Sequence, residues 1–248
     1  MTGIADDGYY AASDISALVQ VTNKVVYLED GDVALLTHEY YKIFNNGVEV
    51  TRKTVISQIK ADLLELGTFK NYMQKEIFEQ PEVIGRCVEK NHIFHWSKEF
   101  GENINDVLIL ACGTSYHSGL VAKYWFESIA RIRCNVEIAS EYRYRDSIYS
   151  CDTLVITLSQ SGETADTLAA LQHAKANGMT KTLAICNVDE SSIVRESQVK
   201  LLTHAGPEIG VASTKAFTTQ LITLACVVMK VATDNGQMTY EESHEIVS

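Results

Sequence analysis

The sequence contains two short segments in which glycine and hydroxyl side chains stand directly after an apolar run. Residues 112–115 (CGTS) follow the apolar run 107–111, and residues 159–164 (SQSGET) follow the run 153–158. Helical patterns come next, so each segment is predicted to join the end of a buried strand to the start of a helix. Backbone N–H groups and the helix dipole favour an anion at such a junction, and Ser and Thr hydroxyls add neutral donors. The two segments therefore indicate a site for a small anionic ligand.

An alternative interpretation is that these hydroxyls only cap helices, because Ser and Thr are favoured N-cap residues. Two such loops at strand ends of one α/β region, with Gln160 beside them, favour ligand binding over capping alone. Gly113 and Gly162 would let the backbone approach a ligand closely. Neither segment has the spacing of a Walker A or a G-x-G-x-x-G motif, so a nucleotide is not indicated.

A third segment, residues 206–220 (GPEIGVASTKAFTTQ), brings hydroxyls and a lysine to the start of a long helical pattern. Lys215 has the chemistry for a Schiff base, but a solvated lysine in the first helical turn is the preferred interpretation. Cys112 has no recognisable base partner and is interpreted as a small residue at a strand end. Residues 142–145 (YRYR) are interpreted as a surface helix face whose side-chain stems pack down.

The elements that must position these segments alternate between strand and helix from residue 106 onward. Apolar runs predict strands at 107–111, 135–139, 153–158, 182–188 and 200–203, and helical patterns predict helices at 115–131, 163–177, 191–198 and 214–233. On the first of these helices, one face is expected to carry Leu120, Val121, Tyr124, Trp125 and Ser128. Gly178 and Gly236 stand where helices should end. This alternation predicts an α/β fold with a doubly wound, mainly parallel sheet.

The chain before residue 70 has a different character. Short alternating stretches over residues 15–55 predict an antiparallel β meander, and Asn46-Gly47 between apolar runs predicts a tight hairpin turn. Residues 57–104 are predicted to be mostly helical, a connector followed by the first helix of the next domain. Pro81 is expected to kink or restart a helix within 73–90, because proline lacks the N–H that a helix interior needs.

Composition limits the class of protein. The chain of 248 residues is 46% hydrophobic and 21% charged, as expected for a soluble globular protein, and no apolar run approaches the ~18 residues that span a bilayer. Its formal net charge of −11 argues against nucleic-acid binding. The six cysteines form no C-x-x-C pair and no zinc-type cluster, so they are interpreted as reduced core thiols, with no metal or cofactor. Without a signal peptide, the expected compartment is the cytoplasm.

Several longer segments resemble one enzyme family. The segments are ACGTSYHSG, VEIASEYRYR, TLSQSGETADTL, LAICNV, SSIVRES and EIGVASTKAFTTQL. Together they resemble the first sugar isomerase (SIS) domain of the glutamine–fructose-6-phosphate aminotransferases, over about residues 73–224. Upstream, AASDISALV, VYLEDGDVALL and YMQKEIFEQP resemble the end of that family's glutaminase domain and the connector after it. The resemblance implies a flavodoxin-like SIS fold and the conversion of fructose 6-phosphate and glutamine to glucosamine 6-phosphate and glutamate.

The resemblance also implies roles for individual residues. Phosphate contacts are expected from Ser115, Ser159, Gln160, Ser161 and Thr164. Contacts with the sugar are expected from Thr114, Val211 and Ser213. No catalytic residue is assigned, because the family's N-terminal cysteine nucleophile and its second SIS domain have no counterpart in these residues. The chain by itself is therefore expected to be inactive.

The same resemblance implies a domain organisation and partners. Residues 1–70 are expected to be the end of a glutaminase domain, 71–104 a connector with the first helix, 105–235 the SIS domain and 236–248 the start of a link to a second SIS domain. Expected ligands are fructose 6-phosphate and glucosamine 6-phosphate, with glutamine only in the intact enzyme, which is expected to be a homo-oligomer. A stand-alone SIS sensor and another SIS isomerase or deglycase remain alternatives, although neither accounts for the β meander.

Overall fold

The computed structural model describes residues 1–13, 15–19, 21–57, 65–92 and 94–247. The chain separates into two compact units, Met1–Thr68 (unit 1) and Phe69–Ser248 (unit 2). The strands of unit 1 are β1 (Thr2–Ala5), β2 (Gly8–Ala11), β3 (Lys24–Val26), β4 (Asp32–Leu36), β5 (Tyr41–Asn45), β6 (Val48–Val50) and β7 (Thr54–Ile56). They form two antiparallel sheets, with the orders β2-β1-β3-β7 and β4-β5-β6.

The predicted meander is only partly correct. Strands β4, β5 and β6 form a meander, and the turn between β5 and β6 has positive φ at Asn46 (49°) and Gly47 (80°), as the hairpin prediction requires. Strand β3, in contrast, pairs with β1 and β7 in the other sheet. Its residues Val25 and Val26 are fully buried, so β3 takes partners on both sides instead of continuing the meander.

Unit 2 contains one sheet and the α-helices of the described chain. Its strands are β8 (Asp106–Ala111), β9 (Arg133–Ile138), β10 (Thr153–Ser159), β11 (Thr182–Cys186) and β12 (Val199–Leu202). Its helices are α1 (Tyr72–Asn91), α2 (Lys98–Gly101), α3 (Gly113–Trp125), α4 (Ala139–Tyr142), α5 (Ala165–Ala176), α6 (Ser192–Glu196), α7 (Lys215–Asp234) and α8 (Tyr240–Val247). All strand pairs in the sheet are parallel, in the order β12-β11-β10-β8-β9. Counted within the unit this is the order 2-1-3-4-5, which confirms the doubly wound, flavodoxin-like prediction.

Each face of this sheet carries its own hydrophobic core. Val107 and Ile109 of β8 face a cluster that includes residues of α3 and α7, whereas Leu108 and Leu110 face a cluster with residues of α4, α5 and α6. Because both faces of the sheet are covered, the strands are apolar at successive positions, and such apolar runs can be recognised in the sequence. Burying one such side chain stabilises the fold by roughly 1.5–3 kcal/mol.

Helix α1 passes through Pro81 without restarting, so of the two outcomes expected at this proline, a kink or a restart, the restart does not occur. Proline at this position leaves the carbonyl of Ile77 without its usual N–H partner. The side-chain amide of Gln80 donates to that carbonyl at 3.3 Å and replaces the missing hydrogen bond. Cys87 Sγ, buried on the same helix, lies 3.3 Å from Thr223 Oγ1 of α7, so packing against α7 also holds α1 together.

Helix α3 also differs from its prediction. It ends at Trp125 and continues as a π-helical turn, Phe126–Ala130. The face expected to carry Leu120, Val121, Tyr124, Trp125 and Ser128 is not the one that packs on the sheet, because Tyr124 is 72% exposed and the buried positions include Gly119 and Ala122. A Cβ at Gly119 would lie 2.9 Å from side chains of β8 and β9. Helix α3 therefore approaches the sheet too closely for a larger side chain at this position.

Helix α7 is the one helix, among the residues that the structure describes, long and apolar enough to cross a membrane by length and composition. In unit 2 it packs against α1 and α3. Its buried residues include Thr219, Gln220 and Thr223, whose polar groups are hydrogen-bonded inside the unit. The helix therefore serves as a core element of unit 2.

We expect unit 1 to unfold before unit 2. Its core cluster has only Ile15, Leu18 and Val25 as fully buried members within the described residues, and Val33 of β4 is 67% exposed. In limited proteolysis followed by mass spectrometry, the first cuts should fall before residue 69 and leave a resistant unit 2. Equal hydrogen-exchange protection of Val25 and Ile109 would contradict this ranking.

Candidate functional site

The two glycine–hydroxyl loops lie side by side at one edge of the sheet. Strands β8 and β10 are parallel neighbours, with Leu158 paired to Ala111, so both chains leave the sheet at the same level. The helix after β8, α3, packs on one face of the sheet, and the helix after β10, α5, packs on the other. The crossovers diverge here and open a crevice, the usual ligand position in a doubly wound sheet.

The loop after β10 is built around Ser159. Its buried Oγ accepts a hydrogen bond from Gly162 N at 2.9 Å and lies 3.1 Å from Thr164 Oγ1. Gly162 has φ +68°, and a Cβ on it would lie 2.0 Å from Ser191 Oγ, so only glycine fits. The loop thus has one tightly defined shape, and Ser161 stands at its outer side with Oγ accepting from Glu163 N at 3.2 Å.

Neighbouring segments fix this loop from outside. The carbonyl of Gln160 accepts from Asn187 N at 3.2 Å, just after β11. The carbonyl of Gly162 accepts from Ile193 N at 3.0 Å, and the Glu163 carboxylate accepts from Ser192 N at 2.8 Å, both on α6. These bonds hold the loop in place. They use carbonyl and carboxylate oxygens as acceptors, so the hydroxyl donors of the loop are left for a ligand.

The loop after β8 is oriented by α7. Gly113 has φ +57°, and the exposed Thr114 and half-buried Ser115 follow it. Ser115 Oγ accepts from the buried side-chain amide of Gln220 at 2.9 Å, while Gln220 Oε1 accepts from Ser118 Oγ at 3.1 Å. Ser115 Oγ accepts this bond through a lone pair, so its own O–H proton can still be donated to a ligand.

The helix starts at these loops retain free donors. In the described part of the chain, neither N-cap side chain, that of Cys112 for α3 or of Thr164 for α5, makes a capping hydrogen bond. The capping interpretation therefore does not account for Thr164. Asp166 in the first turn of α5 would repel an anion, but Arg143 pairs with it at 3.0 Å and offsets its charge.

The third segment behaves differently, because its helix start is already occupied. The Glu208 carboxylate accepts from Thr214 N at 2.8 Å and Ala216 N at 3.1 Å, and so caps α7. Ser213 Oγ donates to the same carboxylate at 3.2 Å. Val211 is fully exposed at the tip of this segment. The structure therefore offers two open helix starts to an anion, and a carboxylate occupies the third.

Lys215 corrects a sequence interpretation. It is 3% exposed rather than solvated, and its Nζ lies 2.6 Å from Glu79 Oε2 of α1. The ion pair engages the amine that a Schiff base would need, so the Schiff-base alternative gains no support. The lysine joins α7 to α1 through this ion pair.

The cysteines give no nucleophile either. Cys112 is half-buried and serves as the N-cap position of α3. Cys186, next to the Gln160 carbonyl, is buried, and burial raises the pKa of its thiol, which keeps it protonated and unreactive. Cys151 is exposed, so the interpretation of all six as core thiols is wrong at that residue. Among the described residues, no cluster of His, Cys, Asp and Glu could hold a metal ion.

Three residues that hold the loops, Asn187, Glu208 and Gln220, were not identified from the sequence. Asn187 follows β11, one strand beyond the two loops, and its side chain donates to the Gly206 carbonyl at 2.7 Å. The first two loops were found because polar residues follow the end of a strand. The same reasoning would have indicated Asn187 if the predicted strand 182–188 had ended at Cys186, as β11 does. Gln220 carries no such signal, because its partners Ser115 and Ser118 lie far away along the chain. Glu208 contacts nearby residues, Ser213, Thr214 and Ala216, but it does not directly follow a strand and so falls outside that reasoning.

A separate cleft of ≈ 740 Å³ lies at the opposite end of the sheet, at the amino ends of β8 and β10. Its arginines are already paired, Arg133 with Asp106 at 2.8 Å and Arg145 with Glu137. Tyr142 lines it with a buried ring, so the interpretation of residues 142–145 as a surface face is wrong at this tyrosine. Neither glycine–hydroxyl loop contributes to this cleft.

Comparison with known proteins agrees with this geometry. Residues 102–230 match the SIS domain family. The glutamine–fructose-6-phosphate aminotransferase of Bordetella parapertussis is 48% identical over 253 residues, covering 99% of this chain and 41% of that protein. The Salmonella typhi enzyme of the same name is 50% identical over 249 residues, covering 96% of this chain and 41% of that protein. The chain thus spans about two-fifths of the length of these relatives.

Solved structures show the same likeness. The C-terminal domain of glucosamine-fructose-6-phosphate aminotransferase from Francisella tularensis has a TM-score of 0.71 and 44% identity, covering 74% of this chain and 53% of that chain. Glucosamine-6-phosphate deaminase from Thermotoga maritima has a TM-score of 0.56 and 26% identity, covering 71% of this chain and 52% of that chain. With the sheet order, the loops and these matches together, the chain belongs to the SIS domain family and is similar over nearly its whole length to glutamine–fructose-6-phosphate aminotransferases.

Proposed function

We propose that this chain is the part of a glutamine–fructose-6-phosphate aminotransferase that binds the sugar phosphate. The observation that carries the proposal is the pair of glycine–hydroxyl loops at the divergence of β8 and β10, each at a helix start without a side-chain cap. A phosphate dianion is the ligand that such amides and hydroxyls recognise best. The similarity to aminotransferases selects fructose 6-phosphate and the product glucosamine 6-phosphate as ligands.

The phosphate would be held by neutral donors. Ser161 and Thr164 reach it from the loop after β10, with Ser159 and Gln160 behind them, and Ser115 reaches it from the loop after β8. With Ser159 as the donor in its contact with Thr164, the O–H groups of Ser115, Ser161 and Thr164 are left for the phosphate. Neither loop contains a basic residue. The sugar would meet Thr114, Val211 and Ser213, which lie at the exposed tips and edges of the loops. Because long-range charge plays a small part, affinity should fall only mildly with salt.

The remaining chain fits the same proposal. Unit 1 would be the end of a glutaminase domain (residues 1–70), followed by the connector with α1 (71–104), the SIS domain (105–235) and the link to a second SIS domain (236–248). In the intact enzyme, glutamine would donate nitrogen to fructose 6-phosphate, giving glucosamine 6-phosphate and glutamate. We place this enzyme in the cytoplasm as a homo-oligomer, acting on small molecules and requiring neither membrane nor nucleic acid.

Two alternatives use the same fold, a stand-alone sugar-phosphate sensor and an SIS isomerase or deglycase. The likeness to the deaminase structure covers 71% of this chain. The likeness to the aminotransferases covers 99% and therefore includes unit 1. A sensor or an isomerase has no evident need for unit 1, so the aminotransferase is preferred.

Removing single hydroxyls tests the phosphate site. Ser161→Ala and Thr164→Val should each weaken the binding of fructose 6-phosphate by about 10- to 100-fold, since a hydrogen bond to a charged group is worth roughly 1.5–3 kcal/mol. Affinity is measured by isothermal titration, with free fructose as the non-phosphorylated comparison, for which both variants should behave like the parent.

The matched control is Ser128→Ala, which removes a hydroxyl in the π-helical turn at the far end of α3 and should leave affinity unchanged. Lys215→Met should lower the thermal midpoint, because Glu79 loses its nearer lysine partner, yet change affinity less than either loop variant. The neutral-donor proposal is wrong if Lys215→Met abolishes binding in a folded protein while Ser161→Ala leaves it intact.

A glycine pair tests whether the loop must keep its shape. Gly162 and Gly178 both have positive φ, but a Cβ at Gly178 meets open space, whereas one at Gly162 meets Ser191. Gly162→Ala should therefore abolish fructose 6-phosphate binding, and Gly178→Ala should cost only about 1 kcal/mol of stability and bind normally. Binding by Gly162→Ala at parental affinity would contradict the rigid-loop account.

A further inference from the structure

Helix α1 carries a buried carboxylate that holds the third segment. Glu76 is 2% exposed, and its Oε1 accepts from Ile209 N at 2.6 Å and from Gly210 N at 2.9 Å. A carboxylate is rarely buried unless its oxygens are hydrogen-bonded, because desolvation of the charge is costly. The amides of Ile209 and Gly210 meet that requirement, so Glu76 is hydrogen-bonded to the backbone of the third segment.

Within this segment, the stretch from residue 209 to residue 216 is held at both of its ends by carboxylates. Glu76 binds its start at residues 209 and 210, and Glu208 binds its end at Thr214 and Ala216. The fit at Gly210 is tight, since a Cβ there would lie 2.5 Å from Glu76 Oε2. The residues between the two anchors, 211–213, are therefore presented in one defined position.

Further contacts show that α1 acts as a template for this region. One turn beyond Glu76, Glu79 pairs with Lys215 and Gln80 Oε1 accepts from Thr218 Oγ1 at 2.6 Å. These three positions lie on one face of α1, three and four residues apart. The same face thus fixes both the segment and the first turns of α7.

We infer that Glu76 is a positioning residue that sets Val211 and Ser213 against the sugar portion of the ligand. The inference rests on the proposed function, because it takes those two residues as sugar contacts. Glu76 would act only through the segment, since it binds the backbone of Ile209 and Gly210. Its loss should therefore affect recognition of the sugar and spare recognition of the phosphate, which the loops after β8 and β10 provide.

The test separates the two parts of the ligand. Glu76→Ala should weaken fructose 6-phosphate binding by about tenfold and change the affinity for inorganic phosphate by less than about twofold, as expected when sugar contacts alone are lost. Glu76→Gln keeps an oxygen acceptor for both amides and should restore most of the affinity. Glu82→Ala is the matched control, because Glu82 lies on the same helix, is exposed and pairs only with Arg86 within α1.

A second measurement reports on the segment directly. Amide hydrogen exchange of Ile209 and Gly210 should accelerate in Glu76→Ala and stay at the parental rate in Glu82→Ala. If Glu76→Ala does not fold, Gly210→Ala keeps the carboxylate, displaces the segment and should give the same split between the two ligands.

The outcomes are distinct. Equal weakening of both ligands in folded Glu76→Ala would show a general structural role and overturn the inference, as would unchanged affinity for fructose 6-phosphate. Failure of the parental protein itself to bind fructose 6-phosphate would overturn the proposed function together with the inference. Loss of sugar-phosphate affinity with phosphate affinity kept, and rescue by Glu76→Gln, would support it.

Discussion

The site depends on the register between β8 and β10. Thr153 pairs with Asp106 and Leu158 with Ala111, so the two strands end level with each other. Their crossovers then leave to opposite faces, and the two helix starts flank one crevice. A shift by one residue would exchange the two faces of a strand, burying Leu108 and Ile109 against the wrong helices, so the cores on both faces enforce the register. The position of the proposed phosphate site is thus a consequence of how the sheet is packed.

At the proposed phosphate site, the acidic side chains are neutralised or hydrogen-bonded by neighbouring groups, and no basic side chain in the two loops attracts the phosphate. The chain is acidic overall, with a formal net charge of −11, and the nearby acidic groups are individually engaged. Asp166 is paired with Arg143, Glu163 accepts from the backbone of α6, and Glu208 caps α7. What remains for a phosphate is a set of neutral hydroxyls and amides at two helix starts. Such donors are oriented before the ligand arrives, so little reorganisation opposes binding.

Much of this arrangement could be predicted from the sequence, because fully buried parallel strands are apolar at every position and the loops between them begin with glycine and hydroxyls. The loops, their glycines and the doubly wound sheet followed from local patterns. Lys215 could not be predicted, since its burial depends on Glu79, which lies far away in the chain. Helix α1 does not restart at Pro81 because Gln80 compensates for the missing N–H locally, and α3 packs on the sheet through Gly119, which permits a close approach. These are pairwise contacts that periodicity does not encode.

The central claim is that amides and hydroxyls at the two helix starts, and no basic side chain, hold the phosphate of a hexose 6-phosphate. A crystal structure of the chain with fructose 6-phosphate tests it most directly. The account predicts phosphate oxygens within hydrogen-bonding distance of Ser161 Oγ, Thr164 Oγ1 and the first N–H groups of α5, with no lysine or arginine nitrogen within ~4 Å. A phosphate seated on Arg133 and Arg145 in the cleft at the amino end of the sheet, or on Lys215, would contradict it.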